Sequence, residues 1–285
     1  YYYKINLKYK HVIFIMKILI YGINGYIGQL LKIYFQEKHE VLESLQKKIT
    51  LYKDITNDIT RLKPDRIISA IGLTKCDGVN STYVLNSLDK LYDNLNINLH
   101  IHNLIAKACK DYNVHFTYTS TGCLYTNNLT SSYKFTEDDE PNFTKSAYST
   151  VKIFTEKTLM LTNDNILIIR LRQCLNNDKN DRNFLNKFLS FSSLSDIPNS
   201  FTVIPSMFPI LVNMVEDEIK GLYNFVNKGG ISPKEIVDLF TTKNYTISDR
   251  NYMLENYSNN ILSVEKLEKI YEIDEIKDAL LKILY

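Results

Sequence analysis

The sequence is poor in residues that mark several protein classes. Its 285 residues include no tryptophan, nine glycines and six prolines, which argues against glycine- or proline-rich fibres. No apolar run approaches the ~20 residues of a membrane-spanning helix. The net charge is +2, from 34 basic and 32 acidic residues, so no excess positive charge is present to bind a phosphate backbone or an anionic membrane. We therefore expect neither nucleic acid nor membrane as a partner.

The cysteines are also few, and none is placed for joint chemistry. Cys76, Cys109, Cys123 and Cys174 show no C-x-x-C spacing, which disfavours a disulfide framework and a zinc site. We expect free thiols and no bound metal. The first fifteen residues lack the apolar core and cleavage site of a secretory signal. This predicts a cytoplasmic location.

Strand-like and helix-like segments alternate from Met16 onwards. Strand patterns occupy residues 17–21, 40–45, 48–52, 66–70, 114–120 and 166–171, and helical patterns occupy residues 26–36, 54–62, 91–112 and 145–161. Such alternation is typical of parallel strands with helices on both faces. The sequence therefore predicts an α/β fold with a Rossmann-like, doubly wound parallel sheet.

The alternation weakens after Arg172, where prolines separate short segments. These prolines are Pro198, Pro205, Pro209 and Pro233. A capping box from Ser232 to Glu235 predicts a helix through Phe240. A strand is also predicted at 221–226, and helices at 263–271 and 274–284. We expect three parts: a leader (1–15), a dinucleotide-binding domain (16–171) and a smaller, mainly substrate-binding C-terminal lobe (172–285), with some segments that return to the first domain.

A glycine loop joins the first predicted strand to the first predicted helix in the pattern G-x-x-G-x-x-G. Glycine permits a sharp turn, a close approach of backbone to pyrophosphate and close packing of helix on strand, while the helix N-terminus supplies amide donors. The alternative is a glycine turn that arose by chance. The dinucleotide interpretation assigns the cofactor contacts to Gly22, Asn24, Gly25, Tyr26, Ile27 and Gly28.

The end of the second strand bears on the choice of cofactor. Lys47 and Lys48 follow it and are suited to a 2′-phosphate, which favours NADPH and assigns Lys47 to the cofactor. Glu43 is suited to the 2′-hydroxyl of NADH if the strand ends earlier. Ordinary solvated lysines are a further alternative.

Tyr148 and Lys152 form a Y-x-x-x-K pair, one turn apart on a predicted helix. A neighbouring ammonium favours the phenolate and lowers a tyrosine pKa, so that the phenol exchanges a proton with a carbonyl or alcohol oxygen. The same lysine is suited to hold the nicotinamide ribose. Thr121, at the end of an intervening strand, supplies a hydroxyl for the substrate oxygen. These residues resemble the triad of the extended short-chain dehydrogenase/reductases, although chance produces a lone Tyr–Lys pair easily.

Gly122 and Cys123 follow Thr121 at the carboxyl end of the sheet. Nucleotide-sugar 4,6-dehydratases resemble this fold but have Asp-Glu after the threonine, so dehydratase chemistry is disfavoured. If the strand continues, Thr121 and Cys123 project to the same face. The thiol is then a candidate proton shuttle, and the alternative is a small hydrophobic strand residue.

Several motifs in order resemble the plant UDP-4-keto-6-deoxyglucose 3,5-epimerase/4-reductases, whose sequence also forms the C-terminal part of rhamnose synthases. They are Thr121-Gly122-Cys123, EDDEPNFT at 137–144, Tyr148-x-x-x-Lys152, RNF at 182–184, IPNS at 197–200 and SNN at 258–260. The resemblance implies a cytosolic homodimer that uses NADPH, or less readily NADH, to make UDP-L-rhamnose from UDP-4-keto-6-deoxy-D-glucose. The lysine-rich segment after strand two and residues 127–133 depart from the plant pattern.

The family attributes its epimerase activity to a cysteine and a lysine, which correspond by motif to Cys123 and Lys187. The C4 ketone acidifies the hydrogens at C3 and C5, so inversion needs one group to remove a proton and another to return one on the opposite face. The alternative for Lys187 is an exposed lysine on an amphipathic helix.

Further positions are assigned with their structural alternatives open. Arg182 is suited to pair with the UDP diphosphate, or it is an ordinary surface arginine. The other cofactor candidates are Asp54 and Ile55 beside the adenine, Ala70, Ile71 and Gly72 beside the pyrophosphate and ribose, and Asn98 as a structural or relay residue. The other substrate-binding candidates are Gly122, Asn142 and Asn183.

Two other functions compete with the bifunctional enzyme. One is a 4-dehydrorhamnose reductase without epimerase activity, which receives an already inverted sugar. The other is a non-catalytic NADP-binding regulatory subunit, against which Thr121, Tyr148 and Lys152 argue because the catalytic residues are intact.

Overall fold

The computed structural model describes residues 15–74, 82–126 and 133–284. Cys76, nearly all of the leader and nearly all of the departure at 127–133 lie outside the described residues. No helix in the described part of the chain is long and apolar enough to cross a membrane.

A parallel sheet forms the centre of the molecule. The strands are β1 (Lys17–Tyr21), β2 (Glu40–Leu42), β3 (Arg66–Ser69), β4 (His115–Thr121), β5 (Lys134–Phe135), β6 (Ile166–Leu171), β7 (Ser193–Leu194), β8 (Gly221–Asn224), β9 (Thr246–Ile247) and β10 (Ile261–Leu262). Six of them pair in parallel in the order β2-β1-β3-β4-β6-β8. Every residue of β4 and β6 is buried, as expected where both faces of a parallel sheet are covered.

Helices cover both faces of this sheet. The helices of the described residues are α1 (Tyr26–Gln36), α2 (Tyr52–Leu62), α3 (Leu88–Leu95), α4 (Ile101–Asp111), α5 (Ala147–Thr162), α6 (Phe184–Ser190), α7 (Ile204–Glu216), α8 (Pro233–Phe240), α9 (Arg250–Asn256), α10 (Glu265–Glu268) and α11 (Ile276–Leu284). A 3-10 helix precedes α3 at Thr82–Asn86, and a π-helical turn at Asn96–His100 joins α3 to α4. One core lies between the sheet and α1 and α7, and the other between the sheet and α2, α4 and α5. The predicted α/β fold with a parallel sheet is confirmed.

Two predictions of secondary structure are wrong. Residues 48–51 form no strand, and Tyr52 is already the first residue of α2. The Asp54 carboxylate accepts hydrogen bonds from the amides of Thr50 and Leu51, and such capping of the first turn starts a helix where the apolar pattern indicates a strand.

The second correction concerns the prolines after Arg172. Pro205 and Pro209 do not separate short elements, because both lie within α7. Pro205 is in the first turn, where a missing amide costs nothing. Pro209 removes one helical hydrogen bond, and the helix buries Met207, Phe208 and Leu211 in the core under the sheet. This burial offsets the loss.

The chain after Arg172 contributes to two parts of the fold. β8 forms one edge of the large sheet, and α7 packs against a face of that sheet. A separate core joins α6, α8 and α11 with the segment around Phe201. The carboxyl ends of β1 and β3, where the strand order changes direction, face this second group across a crevice, the usual ligand site of open α/β sheets.

Candidate active site

A cavity of about 660 Å³ occupies this crevice. It collects the predicted residues Gly25, Tyr26, Ile27, Ala70, Ile71, Gly72, Thr121, Cys123, Tyr148, Lys152, Arg182 and Lys187. The segments that follow β1 and β3, together with the end of β4, contribute the residues from Gly25 to Cys123. The other residues come from α5 and from α6 with the segment before it. Residues distant in sequence therefore share one solvent-accessible space.

The three loop glycines have different structural reasons. Gly22 has φ +78°, and a β carbon there would lie 2.7 Å from the Ile71 amide nitrogen. A β carbon at Gly28 would lie 2.1 Å from the Gly22 carbonyl oxygen, so Gly28 allows α1 to pack against the turn. A β carbon at Gly25 would meet only the Gly22 oxygen, at 3.3 Å. Gly25 precedes α1 and lines the cavity, which leaves its backbone open to a pyrophosphate.

Tyr26 and Asn98 hold loops around the cavity. The Tyr26 hydroxyl donates to Asp178 Oδ2 at 3.0 Å, and burial together with Asp178 raises its pKa. Asn98, in the π-helical turn, accepts a hydrogen bond from the Leu73 amide at 2.9 Å and donates one to the Leu73 carbonyl at 3.0 Å. Asn98 thus fixes the loop after β3 from behind, and it is not among the lining residues.

The predicted triad meets at the end of β4. Thr121 ends this strand, while Tyr148 and Lys152 lie one turn apart on α5. Burial raises the pKa of Tyr148, as does the nearby Cys123, and the hydroxyl of Thr121 acts in the opposite direction. The expected lowering of the Tyr148 pKa by Lys152 is wrong for this structure, because the cost of burying a phenolate dominates.

Lys152 is buried with its ammonium group close to aromatic and carbonyl groups. Its Nζ donates to the Thr119 carbonyl at 3.2 Å and lies 4.3 Å from the centre of the Tyr118 ring. Burial lowers its pKa to about 7, and Glu156 opposes this shift. Burial therefore favours the neutral amine of Lys152 over its ammonium form.

Cys123 contacts a charged residue that the sequence analysis did not select. Its Sγ accepts a hydrogen bond from Arg172 Nη1 at 3.1 Å. Arg172 follows β6 and is 1% exposed. The sequence does contain a signal that could have identified Arg172, namely a second arginine in the apolar run ILIIRLR at 166–172. An arginine buried beside a strand needs hydrogen-bond partners.

Lys187 and Arg182 lie across the cavity on and before α6. Burial lowers the pKa of Lys187, and the charge of Arg182 adds to the effect. Lys187 Nζ lies 4.5 Å from the centre of the Phe184 ring. Arg182 Nη1 donates to Thr74 Oγ1 at 2.6 Å, so its guanidinium joins the loop after β3 to the second group of helices.

The remaining predicted site residues do not line the cavity. Asn24 and Lys47 are exposed, and Ile55 is buried in the core. Gly122 lies behind Cys123, where a β carbon would come 2.7 Å from Leu262 Cδ1. The others make structural hydrogen bonds: Asp54 caps α2, Asn142 pairs with the backbone of Thr126, and Asn183 caps α6.

Comparison with known proteins decides the family. The protein-family model described as the RmlD substrate binding domain matches residues 16–198 of this chain. The chain belongs to this family. It is also 30% identical to a bifunctional dTDP-4-dehydrorhamnose 3,5-epimerase/dTDP-4-dehydrorhamnose reductase of Arabidopsis thaliana, over 94% of this chain and 92% of the plant protein.

Two solved structures resemble this chain. A UDP-rhamnose synthase from Acanthamoeba polyphaga mimivirus has a TM-score of 0.90 and 31% identity, and the match covers 95% of this chain and 99% of that one. The dTDP-4-dehydrorhamnose reductase of Bacillus anthracis, solved in complex with NADP, has a TM-score of 0.78, with 94% and 98% covered. At 17% identity this second likeness concerns the fold alone.

Proposed function

We propose that this RmlD-family protein makes UDP-L-rhamnose from UDP-4-keto-6-deoxy-D-glucose in two steps. The sugar is first inverted at C3 and C5, and its C4 ketone is then reduced with NADPH. One observation carries the proposal: the candidate reductase residues Thr121, Tyr148 and Lys152 and the candidate epimerase residues Cys123 and Lys187 all line the same cavity.

The relatives support both steps. The mimivirus protein is described as a UDP-rhamnose synthase, and the plant relative carries epimerase and reductase activities in its name. Both matches cover nearly the whole of this chain. We infer the UDP sugar as substrate from the mimivirus protein, because that match covers 95% of this chain and 99% of the other at 31% identity.

Cys123 and Lys187 exchange protons with the sugar in the proposed epimerisation. The C4 ketone withdraws electrons, so loss of a proton from C3 or C5 leaves the electron pair delocalised onto the C4 oxygen as an enolate. Cys123 sulfur takes this proton, and the Lys187 ammonium returns one to the opposite face of the same carbon. A lowered pKa of Lys187 makes its ammonium group a better proton donor.

Tyr148 donates the proton to the C4 oxygen in the proposed reduction. NADPH supplies the hydride to C4 when it is bound. Thr121 donates a hydrogen bond to the same oxygen, and the raised pKa of Tyr148 keeps its phenol protonated until charge develops there. Lys152, held by the Thr119 carbonyl, is suited to the ribose hydroxyls of the cofactor.

The residues at the crevice fit a nicotinamide dinucleotide. Gly25 precedes the N-terminus of α1 with its backbone open to the cavity, and Tyr26, Ile27, Ala70, Ile71 and Gly72 continue the same wall. The same fold binds NADP in the Bacillus anthracis reductase. We favour NADPH over NADH because Lys47 and Lys48 are exposed beside the end of β2, while Glu43 pairs with Lys32 at 3.0 Å.

One incubation tests the proposal. Purified protein is mixed with UDP-4-keto-6-deoxy-D-glucose and NADPH, and the product is identified by NMR. We expect UDP-L-rhamnose with one NADPH oxidised for each sugar. Oxidation of NADPH only with the already inverted 4-keto sugar would instead identify a reductase without epimerase activity, and no oxidation with either sugar would contradict both.

We further propose that the protein is a homodimer in the cytoplasm. As expected from the sequence, we also propose that residues 16–171 bind the dinucleotide and that residues 172–285 mainly bind the substrate. The neighbouring helices α3 and α5 expose large apolar side chains, among them Leu88 (86%), Tyr92 (76%), Phe154 (56%) and Leu161 (84%). A second copy that covers this surface would remove it from water. Light scattering after size exclusion measures the mass, and Leu161→Glu should yield monomers.

A further inference from the structure

The guanidinium of Arg172 is directed at Cys123. Nη1 donates to the Cys123 sulfur at 3.1 Å and to the Gly122 carbonyl at 3.1 Å. Nη2 donates to Asn199 Oδ1 at 2.6 Å and to the Ser258 carbonyl at 2.8 Å. The side chain is 1% exposed, so these contacts hold the cation in one place away from solvent.

The charge of Arg172 has no anionic partner in the described ranges. Across residues 15–74, 82–126 and 133–284, its acceptors are carbonyl, amide, hydroxyl and sulfur atoms, and no carboxylate forms an ion pair with it. Arg170, on β6, differs because its guanidinium binds the Glu156 carboxylate at 2.8 Å. A buried cation without an anion is costly, and a thiolate at Cys123 would supply the anion.

The rest of Cys123 is fixed as well. Its amide donates to Thr121 Oγ1 at 3.2 Å, and its carbonyl accepts a hydrogen bond from Ser149 Oγ at 2.8 Å. The side chain is partly exposed and lines the cavity. The sulfur therefore has one face toward Arg172 and another open to a bound sugar.

We propose that Arg172 is a positioning residue that holds Cys123 as a thiolate aimed into the cavity. This inference deepens the proposed epimerisation and rests on it for the substrate. The thiolate forms an S–H bond as the sugar C–H bond breaks, and the electron pair moves onto the C4 oxygen. Arg172 keeps its own protons throughout and acts only through Cys123.

The other titratable groups near Cys123 carry no charge of their own at neutral pH. They are Tyr148 on α5, Tyr83 in the 3-10 helix and Cys174 after β6, and burial raises the pKa of each. Arg172 is therefore the charged group that faces the sulfur from the described elements.

Alkylation of Cys123 with iodoacetamide tests this, because only the thiolate reacts. The intact protein is alkylated between pH 6 and 9 without substrate or cofactor, and the Cys123 peptide is quantified by mass spectrometry. Wild-type Cys123 should react faster at pH 6.5 than the same residue in urea-unfolded protein. Arg172→Gln should slow the reaction at pH 6.5 by about tenfold and by much less at pH 9, while Arg172→Lys should retain most of the rate.

Arg170→Gln is the matched control, because it removes an equally buried arginine two residues away. It should change the Cys123 profile by less than about twofold, and thermal unfolding shows which variants are folded. Equal rates at all pH values for wild type and folded Arg172→Gln would overturn the proposal. If Arg172→Gln does not fold, the wild-type measurement decides by itself. An alkylation profile of folded wild type that is identical to that of the unfolded chain would then overturn the proposal. Because no sugar is present, the alkylation result does not depend on the proposed epimerase activity. Failure of the alkylation test would likewise leave the proposed epimerase activity open to its own test.

Discussion

Tyr148 and Lys152 lie one turn apart on α5, and burial moves their pKa values in opposite directions. The pKa of Tyr148 rises, and that of Lys152 falls to about 7. Desolvation penalises the charged form of each group, which is the phenolate in one case and the ammonium in the other. The pair is therefore biased toward a protonated tyrosine and a lysine that gives up its proton near neutrality.

Replacement of Tyr148 should remove the proton donor and little else. Tyr148→Phe should lower the rate of C4 reduction by roughly 10²- to 10⁴-fold, the usual contribution of a positioned general acid. NADPH affinity, measured by fluorescence titration, should stay nearly unchanged. Full reductase activity in this variant would exclude Tyr148 from the mechanism.

The pH dependence of stability should report the buried charge of Lys152. The unfolded lysine keeps its proton up to a pKa near 10.5, whereas the folded one loses it near 7. Between these values the unfolded state binds more protons, so stability contributed by this group rises with pH, and its charge destabilises the fold most below pH 7. Lys152→Met should therefore raise the Tm more at pH 6 than at pH 9. A Tm difference that is constant with pH would contradict the assignment.

Gly25 and Gly28 should respond differently to substitution. Gly25→Val should abolish NADPH binding while the protein stays folded, because the added side chain enters the space of the pyrophosphate. Gly28→Ala should destabilise the fold by about 1–3 kcal/mol, since its β carbon would lie 2.1 Å from the Gly22 oxygen. Fluorescence titration and thermal unfolding separate these effects, and unaltered NADPH binding by Gly25→Val would refute the loop assignment.

Epimerisation and reduction should separate by mutation. Cys123→Ala and Lys187→Ala should lose deuterium incorporation from D₂O at C3 and C5, measured by NMR. Both should still oxidise NADPH when given the already epimerised 4-keto sugar, apart from a modest loss through altered packing. Cys109→Ala is the control, because this buried cysteine lies in the core beneath the sheet. Absence of exchange in wild-type protein would leave the reductase alone.

Cofactor preference should depend on Lys47. Lys47→Ala should raise the KM for NADPH by about fivefold, because an exposed ion pair contributes up to about 1 kcal/mol. The KM for NADH, which lacks the 2′-phosphate, is the internal control and should not change. Equal effects on both cofactors would indicate a general role in folding or binding.

The local signals in the sequence were sufficient to predict most strands of the large sheet, the glycine loop and the position of the Tyr148–Lys152 pair on one helix. Hydrophobic periodicity identified β6 at its observed bounds, because a strand covered on both faces is apolar along its whole length. The glycine spacing predicted the β1–α1 turn, since a left-handed Gly22 and a closely packed Gly28 are local requirements. The residues of the short motif at Thr121 and Cys123 likewise reach the cavity.

Tertiary structure decided what depends on partners distant in the chain. Arg172 contacts Cys123, Asn199 and Ser258 from separate segments, and no spacing rule connects them. The continuity of α7 through Pro209 comes from burial against the sheet, which outweighs the local cost of proline. The direction of the Tyr148 pKa shift could not be predicted from the sequence either. Residues close in sequence show only which charges lie near the phenol, and they do not show how deeply it is buried. Packing by the whole fold sets its desolvation.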